Sequence, residues 1–248
     1  SIMGKLAGKT AIITGGSKGI GRGIVLAFVQ SGCDLLISAR NEQDLEAMAD
    51  EARSAAEHDL RIVTHAGDIG CHDNVTAMFA KFKDNFEKLD LLVNNAGAFN
   101  GGPLDQCSLE DWDHVINTNL RGPFMCTQQA FQIMKPQGVG RIINVGSISA
   151  TRVRHSSAPY STSKFGLTGL TQVTALEGRD FGITCCGLQP GNIETERRAA
   201  SSSNADQEPM MSVHDIAEVA LLMATLPPHV ELLDAVVLPS QQLYVGRG

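Results

Sequence analysis

Short apolar runs alternate along this chain with longer segments in which apolar residues recur every three or four positions. The short runs are typical of buried parallel strands and occupy residues 10–14, 35–38, 61–64, 89–93, 141–145, 183–188 and 232–239. The segments between them carry helical stripes, for example Leu45, Met48, Ala49, Ala52 and Ala56. The alternation predicts an α/β fold, a doubly wound parallel sheet of about seven strands with helices on both faces.

A glycine-rich turn follows the first predicted strand, and ligands of such sheets bind at the carboxyl ends of the strands. Glycines let the backbone approach a pyrophosphate, and the free N–H groups at the start of the next helix face it. A structural glycine turn is the alternative, because the spacing Gly-x3-Gly-x-Gly differs from the commoner Gly-x-Gly-x2-Gly. The turn predicts dinucleotide contacts from Gly15, Ser17, Lys18, Gly19, Ile20 and Gly21.

The end of the second predicted strand indicates which dinucleotide binds. About twenty residues beyond the glycine turn, an acid would hydrogen-bond a free ribose 2′-hydroxyl. This chain has Ala39 and Arg40 there, with Lys18 in the turn, and two cations favour a 2′-phosphate. We therefore expect NADP(H) as the preferred cofactor. NAD(H) stays possible if Arg40 is only solvated and Glu42 or another group serves the ribose.

Three further strand ends carry residues suited to contact a cofactor. Asp68 and Ile69 follow the third predicted strand, where a loop is expected to meet adenine. The run Asn94, Asn95, Ala96 and Gly97 closes the fourth strand with small and amide residues that let the backbone pass close to a ligand. The sixth strand ends at Pro190 and Gly191.

A tyrosine and a lysine one helical turn apart are the candidate reactive pair. Tyr160 and Lys164 stand at i and i+4, so both side chains can enter one cavity. A free phenol has a pKa of about 10, and a neighbouring ammonium favours the phenolate and brings the group into working range for proton transfer. Ser147, after the fifth predicted strand, offers a hydroxyl to a substrate oxygen. A Tyr-x3-Lys pair alone is common on solvated helix faces.

Composition narrows the functional classes. The chain has 248 residues and a formal net charge of −7, which argues against nucleic acid or an acidic membrane as partner. No stretch approaches the roughly 20 apolar residues of a membrane span, and no signal-peptide pattern occurs. The six cysteines lack metal-ligand spacing, so we expect reduced, buried thiols, no metal site and a cytoplasmic location.

Together these motifs resemble the short-chain dehydrogenase/reductase family over essentially the whole chain. The matching pieces are Thr14-Gly15-x3-Gly19-Ile20-Gly21, Asp68-Ile69, Asn94-Asn95-Ala96-Gly97, Asn119-Leu120, Gly146-Ser147, Tyr160-x3-Lys164 and Pro190-Gly191-x3-Thr195. The resemblance implies a single Rossmann-type catalytic domain over residues 1–248. It also implies hydride transfer between a nicotinamide and a carbonyl or alcohol carbon.

The resemblance further implies a role for each matched residue. Tyr160 is the general acid in reduction and the base in oxidation, and Lys164 lowers its pKa and holds the nicotinamide ribose. Ser147 orients the substrate oxygen. Asn119 breaks its helix locally and holds a water that links Lys164 to solvent. The Ile193 backbone and the Thr195 side chain fix the carboxamide, which completes the cofactor-binding set.

The expected function is that of an NADP(H)-dependent carbonyl reductase acting on a small ketone, aldehyde or alcohol, including 3-oxoacyl-like substrates. The three residues between Tyr160 and Lys164 favour C=O over C=C chemistry, since the enoyl-reductase branch usually has six. An NAD-dependent alcohol dehydrogenase and a catalytically silent NADP-sensing protein are the alternatives. By resemblance, a homodimer or homotetramer forms through helices at about 108–135 and 159–180.

Substrate choice is less constrained by the sequence. The polar stretch at about 192–212 is expected to form a substrate lid. Basic residues near the site suggest an anionic substrate as one hypothesis, with solvated surface side chains as the alternative. They are Arg152, Arg154, His155, Arg197 and Arg198.

Overall fold

The computed structural model describes residues 4–196 and 209–245. Seven strands form one sheet, β1 (Thr10–Thr14), β2 (Asp34–Ala39), β3 (Ile62–Ala66), β4 (Leu91–Asn94), β5 (Gly140–Val145), β6 (Ile183–Pro190) and β7 (Asp234–Val237). The described helices are α1 (Gly19–Gln30), α2 (Glu42–Ala55), α3 (His72–Asn85), α4 (Leu109–Ile116), α5 (Gly122–Gln137), α6 (Ala158–Gly178) and α7 (Val213–Thr225). The α/β prediction is confirmed.

The strand order places a crevice beside β1. All neighbouring strands are parallel, in the order β3-β2-β1-β4-β5-β6-β7. The chain therefore winds outward from β1 in one direction to β3, and then from β4 in the other direction to β7. Where the direction reverses, the chain continues from β1 to a helix on one face of the sheet and from β4 to helices on the other. This point is where open α/β sheets bind ligands.

Helices cover both faces of the sheet and enclose two apolar cores. One core contains side chains of α1, α2 and α7, and the other contains side chains of α3, α5 and α6. Neighbouring residues in a strand point to opposite faces, so Cys186 lies in the first core and Cys185 in the second. The apolar stripe of α3 (Val75, Met78, Phe79 and Phe82) and Phe86, the residue after the helix, are buried in the second core.

The long helix predicted at 108–135 is interrupted. Its start is as expected, since the Ser108 side chain caps α4 by accepting a hydrogen bond from the Asp111 amide at 3.0 Å. A π-helical segment (Asn117–Arg121) then separates α4 from α5. Beside it, a Cβ on Gly122 would lie 2.8 Å from the Ile69 carbonyl oxygen, so glycine lets the helix pass close to the loop after β3.

Two sequence expectations concern the surface. All six thiols are free, but only four are buried: Cys71 is exposed and Cys107 partly exposed, so the expectation of six buried thiols was wrong. Both lie outside the apolar stripes, Cys71 just before α3 and Cys107 just before α4. Within residues 4–196 and 209–245, no helix is long and apolar enough to cross a membrane.

Candidate functional site

The loops at the carboxyl ends of β1 to β6 surround a cleft of about 630 Å³. Most of the residues that the sequence predicts for the site line this cleft. They are Gly15, Ser17, Lys18, Gly19, Ile20, Arg40, Asp68, Ile69, Asn95, Ala96, Gly97, Ser147, Tyr160, Lys164, Pro190, Gly191, Ile193 and Thr195. The predicted residues Gly21 and Asn119 do not line it. The fold therefore brings residues from six strand ends to one cleft, and these two predicted residues lie behind the cleft wall.

Tyr160 and Lys164 face this cleft from the first turns of α6. The Lys164 ammonium lies 5.5 Å from the centroid of the Tyr160 ring. The Tyr160 ring also stacks on Phe99, with ring centroids 5.1 Å apart. Phe99 belongs to the loop after β4 and is about half exposed, so it also presents an apolar face to the cleft.

Burial sets the properties of Lys164. Its side chain is 4% exposed, and Nζ donates a hydrogen bond to the Val145 carbonyl oxygen at 3.0 Å. Removing a charged group from water disfavours its charged form, and this burial lowers the pKa of Lys164 from 10.5 to about 8. The ammonium form still predominates at neutral pH. It is anchored at the end of β5 and directed toward the tyrosine ring.

Ser147 is held by its backbone with its hydroxyl turned to the cleft. Its N–H donates to Gln189 Oε1 at 2.8 Å, and its Oγ accepts from the Ser149 amide at 3.1 Å. A Cβ on Gly146 would overlap the Gln189 carboxamide, so a larger residue there would displace the group that holds the Ser147 amide. Because Ser147 Oγ acts as the acceptor in that contact, its proton can still be donated to a ligand oxygen.

Asn119 lies in the π-helical segment and is buried behind the cleft. Its Oδ1 accepts from the Ala98 amide at 2.7 Å, and its Nδ2 donates to the Ala98 carbonyl at 2.9 Å and to Ser163 Oγ at 3.1 Å. The side chain therefore ties the loop after β4 to the helix that carries Tyr160 and Lys164. The local break in the helix is present, whereas the water-holding role stays a prediction.

The glycine turn is built by close backbone contacts. A Cβ on Gly15, whose φ is +64°, would lie 2.7 Å from the Ala96 Cα, so the loops after β1 and β4 touch there. A Cβ on Gly21 would overlap the Gly15 carbonyl oxygen. Gly21 thus supports the turn from behind, which explains its absence from the cleft wall. Asn95 Nδ2 fixes the same turn by donating to the Thr14 and Gly15 carbonyls at 3.1 and 3.0 Å.

A carboxylate lies at the start of α1. Glu196 Oε2 accepts a hydrogen bond from the Gly19 amide at 3.1 Å. Free N–H groups and the helix dipole make this position favourable for an anion. The contact shows that the turn can hold an oxyanion, which is what a dinucleotide pyrophosphate would require. Glu196 was not predicted as a site residue, and no local pattern marks it.

Lys18 and Arg40, the two cations predicted to contact the adenosine part of the cofactor, differ in their ion pairs. Lys18 Nζ forms an ion pair of 2.6 Å with Asp44 Oδ2, whereas Arg40 has no ion pair among the described residues. Asp44 lies in the first turn of α2, where its amide donates to the cap residue Asn41 at 2.8 Å. Asp44 was not predicted as a site residue, although an Asn followed three residues later by an acid is typical of a helix start.

The remaining predicted residues lie at the ends of β3 and β6. Asp68 Oδ1 accepts from the Gly70 amide at 2.8 Å and shapes the loop beside Ile69. Gly191 donates to the Val237 carbonyl at 2.7 Å, and Ile193 forms a bridge with Met211. Of the predicted lid at about 192–212, residues 197–208 lie outside the described part, with both Arg197 and Arg198.

Several polar cleft residues were missed because they belong to loops or short helical segments that no periodic pattern marks. They are Thr118, Ser149, Ser156, Ser157 and Asn192. Phe99 was missed for the same reason. Of the basic residues considered for an anionic substrate, Arg154 lines the cleft, whereas Arg152 and His155 do not. Of these candidates, Arg154 is therefore the one that the described part of the chain places in the cleft wall, which Tyr160 and Ser147 also line.

Comparison with known proteins relates this geometry to a family. A family model described as short chain dehydrogenase matches residues 9–206. The (2S)-[(R)-hydroxy(phenyl)methyl]succinyl-CoA dehydrogenase subunit BbsD of Thauera aromatica is 37% identical over 187 residues, 75% of this chain and 74% of that protein. The 3-oxoacyl-[acyl-carrier-protein] reductase FabG of Staphylococcus aureus is 33% identical over 206 residues, 83% of this chain and 82% of the reductase.

A solved structure extends the comparison to the fold. The crystal structure of a metagenomic short-chain oxidoreductase in complex with NADP matches with a TM-score of 0.82 at 28% sequence identity. The match covers 95% of this chain and 99% of that one.

Proposed function

Because this chain belongs to the short-chain dehydrogenase/reductase family of NAD(P)-dependent oxidoreductases, we propose that it is an NADP(H)-dependent carbonyl reductase. It would interconvert a ketone or aldehyde and the corresponding alcohol, and 3-oxoacyl-like compounds fall within this class. The observation that carries the proposal is the meeting of Tyr160, Lys164 and Ser147 at one wall of the cleft. The two named relatives, a dehydrogenase and a 3-oxoacyl reductase, support the same reaction type.

In the direction of reduction, Tyr160 donates its phenolic proton to the substrate carbonyl oxygen. The Ser147 hydroxyl donates a hydrogen bond to the same oxygen and polarises the C=O bond. The Lys164 ammonium, 5.5 Å from the tyrosine ring centroid, stabilises the phenolate that proton transfer leaves behind. In the reverse direction the phenolate takes the proton of the alcohol.

The cleft fits a dinucleotide cofactor. Close contact between Gly15 and Ala96 and the anion already held at the Gly19 amide are the features that a pyrophosphate site needs. When bound, the reduced nicotinamide supplies a hydride, and with it two electrons, to the carbonyl carbon. Lys164 would hold the nicotinamide ribose, and Ile193 and Thr195, which also line the cleft, would hold the carboxamide.

Arg40 supports NADP(H) as the preferred cofactor. It lines the adenosine end of the cleft without an ion pair among residues 4–196 and 209–245, so its charge is available for a 2′-phosphate. NAD(H) is the second candidate, in an alcohol dehydrogenase, because Asp44 neutralises Lys18 and adds an acid at this end of the cleft.

We further propose that residues 1–248 form one catalytic domain that assembles as a homodimer or homotetramer. Apolar side chains are exposed along α6 at Phe165, Val173 and Leu176, with Phe124 on α5 beside it. Three of them follow helical spacing on one face of α6, and a second copy of the chain would cover such a stripe. These are the two helices that the sequence predicts for subunit contact.

A panel of ketones and aldehydes tests the proposed function. Each compound is incubated with NADPH and, separately, with NADH, and cofactor oxidation is followed by absorbance. Steady NADPH oxidation that depends on the carbonyl compound is expected. If no compound supports turnover while NADPH still binds, the carbonyl reductase proposal fails and a cofactor-sensing protein becomes the better account.

A further inference from the structure

Arg154 lies in the wall of the proposed catalytic cleft, together with Tyr160 and Ser147. It belongs to the loop between the 3-10 turn after β5 (Ile148–Ala150) and the start of α6. Ser157, the residue before α6, fixes this loop: its Oγ donates to the Arg154 carbonyl oxygen at 2.6 Å and also contacts Ser161 Oγ at 2.8 Å. Arg154 is therefore attached to the same helix end as Tyr160.

Among the described residues, the Arg154 guanidinium has one side-chain partner, which is neutral. Its Nη2 donates to Asn192 Oδ1 at 3.3 Å, across the cleft from β6. No carboxylate pairs with it within residues 4–196 and 209–245. The chain has 27 acidic and 20 basic residues other than histidine, so acids are in excess. A guanidinium with five donors that is left without a carboxylate in a ligand cleft is suited to bind an anion.

The loop that carries Arg154 also holds the backbone in an unfavourable conformation. Ser156 has a φ of +59°, and it is the only described residue other than glycine with a positive φ. Ser156 lines the cleft. Its carbonyl oxygen would lie only 2.6 Å from a Cβ on Gly101, so glycine at position 101 leaves room for this loop. Such conformations persist when the surroundings enforce them and are concentrated at functional sites.

The neighbouring arginine is directed elsewhere. The Arg152 guanidinium lies 4.8 Å from the centroid of the Tyr244 ring, in the C-terminal segment after β7. Tyr244 is fixed to the same loop by a 2.6 Å hydrogen bond between its hydroxyl and Thr151 Oγ1. Arg152 does not line the cleft. Of these two arginines, Arg154 therefore lies in the cleft wall and Arg152 contacts the C-terminal segment.

We infer that the cleft takes carbonyl substrates that carry an anionic group, a carboxylate or a phosphate, and that the Arg154 guanidinium binds this group. The inference rests on the proposed function, since it names the substrate class of the same site. Phe99, stacked on Tyr160, supplies an apolar wall for the part of the substrate next to the carbonyl. Charge-assisted hydrogen bonds from Arg154 would then orient the carbonyl toward Tyr160 and Ser147.

The experiment compares acids with matched neutral compounds. Benzoylformate, 3-benzoylpropionate and 4-benzoylbutyrate are each assayed beside their methyl esters with NADPH, and dihydroxyacetone phosphate is assayed beside dihydroxyacetone as the phosphate arm. Wild type is expected to prefer at least one anionic member of a pair. Arg154→Gln should lower kcat/KM for that anion by about 10- to 100-fold, mainly through KM, and leave its neutral partner unchanged.

Arg152→Gln is the matched control, because it removes a cation of the same loop that lies outside the cleft. It is expected to leave the ratio of acid to ester unchanged. The inference is overturned if Arg154→Gln affects anion and neutral partner equally, or if Arg152→Gln has the same effect as Arg154→Gln. Turnover of the neutral ketones in that case leaves the proposed function intact.

Binding gives a second readout that does not require turnover. Calorimetry measures the Kd of each acid and ester for the NADP⁺-saturated protein. An anion that binds at least 10-fold tighter than its neutral partner in wild type, with the difference lost in Arg154→Gln, supports the inference. Equal Kd values for anion and neutral partner in wild type contradict it, whether or not any compound is reduced.

Discussion

Lys18 and Asp44 form an ion pair of 2.6 Å at the adenosine end of the cleft, beside an Arg40 that has no ion pair among the described residues. Lys18 is in the glycine turn and Asp44 is in the first turn of α2, so the pair joins two segments that a 2′-phosphate would meet. An acid so close to a proposed phosphate site opposes binding of the phosphate and partly cancels Lys18. The balance among these three residues should set cofactor selectivity.

Asp44→Asn is expected to increase the preference for NADPH over NADH. Removing the acid frees Lys18 and removes a repulsion toward the 2′-phosphate, so the ratio of the two Kd values should shift by about 3- to 10-fold toward NADPH. Arg40→Ala should shift the ratio in the opposite direction by about 10-fold. Fluorescence titration of both cofactors measures the ratio. Glu51→Gln, which breaks the Arg22–Glu51 pair, is the control and should leave it unchanged.

Glu196→Gln is expected to tighten NADPH binding. The Glu196 carboxylate accepts a hydrogen bond from the Gly19 amide at the helix end proposed to hold the pyrophosphate, so the two anions would compete for this position. Removing the charge should lower the NADPH Kd by about 2- to 5-fold. Glu194→Gln, an exposed neighbour outside the cleft, is the matched control. An unchanged or higher Kd in Glu196→Gln would show that the carboxylate is not a competitor.

Lys164 should make stability depend on pH in the alkaline range. Burial lowers its folded-state pKa to about 8, below the 10.5 of the unfolded chain, so between these values the unfolded state binds the extra proton. Stability from this group therefore increases as pH rises through 8. Relative to Lys164→Met, the free energy of unfolding of wild type should rise by about 2 kcal/mol between pH 8 and pH 10.

Urea denaturation of both proteins across this pH range measures the difference. Lys83→Met, which removes an exposed lysine of α3, provides the reference. A flat difference between wild type and Lys164→Met would mean that the ammonium is not desolvated as the structure indicates.

Charge on the exposed face of α6 should separate subunits. Val173 and Leu176 are 50% and 62% exposed, and the double variant Val173→Glu, Leu176→Glu places two carboxylates in the proposed interface. Light scattering after size exclusion should report a dimer or tetramer for wild type and a monomer for the variant. Leu222→Glu, on α7 at the opposite face of the sheet, should keep the wild-type mass. A monomeric wild type would refute the assembly proposal.

The sheet and most of the cleft could be predicted from the sequence because their signals are local. Each strand is predicted by an apolar run, and distinctive residues mark where such runs end, such as the glycine turn after β1 or Pro190 and Gly191 at the end of β6. Parallel strands bring these ends to one edge of the sheet, and this does not depend on the conformation of the loops between the strands. Tyr160 and Lys164 are related by helical spacing alone.

Other features depend on contacts that no local pattern records. Glu196 and Gly19 are 177 positions apart, and their hydrogen bond follows from how the segment after β6 returns to α1. The π-helical segment (Asn117–Arg121) lies where α5 meets the loop after β3. No local pattern marks this contact, and a continuous helix was therefore predicted. Arg154 and Arg152 are alike in the sequence, and only the position of Tyr244 separates their roles.

The central claim is that Tyr160 transfers the proton in carbonyl reduction. The most direct measurement is kcat for NADPH-dependent reduction of one ketone substrate by Tyr160→Phe, with Tyr244→Phe as the matched control, since these are the two tyrosines of the chain. The account predicts a loss of more than about 100-fold in Tyr160→Phe with NADPH binding retained, and a kcat near wild type in Tyr244→Phe. Tyr160→Phe with a kcat within a few fold of wild type would contradict it.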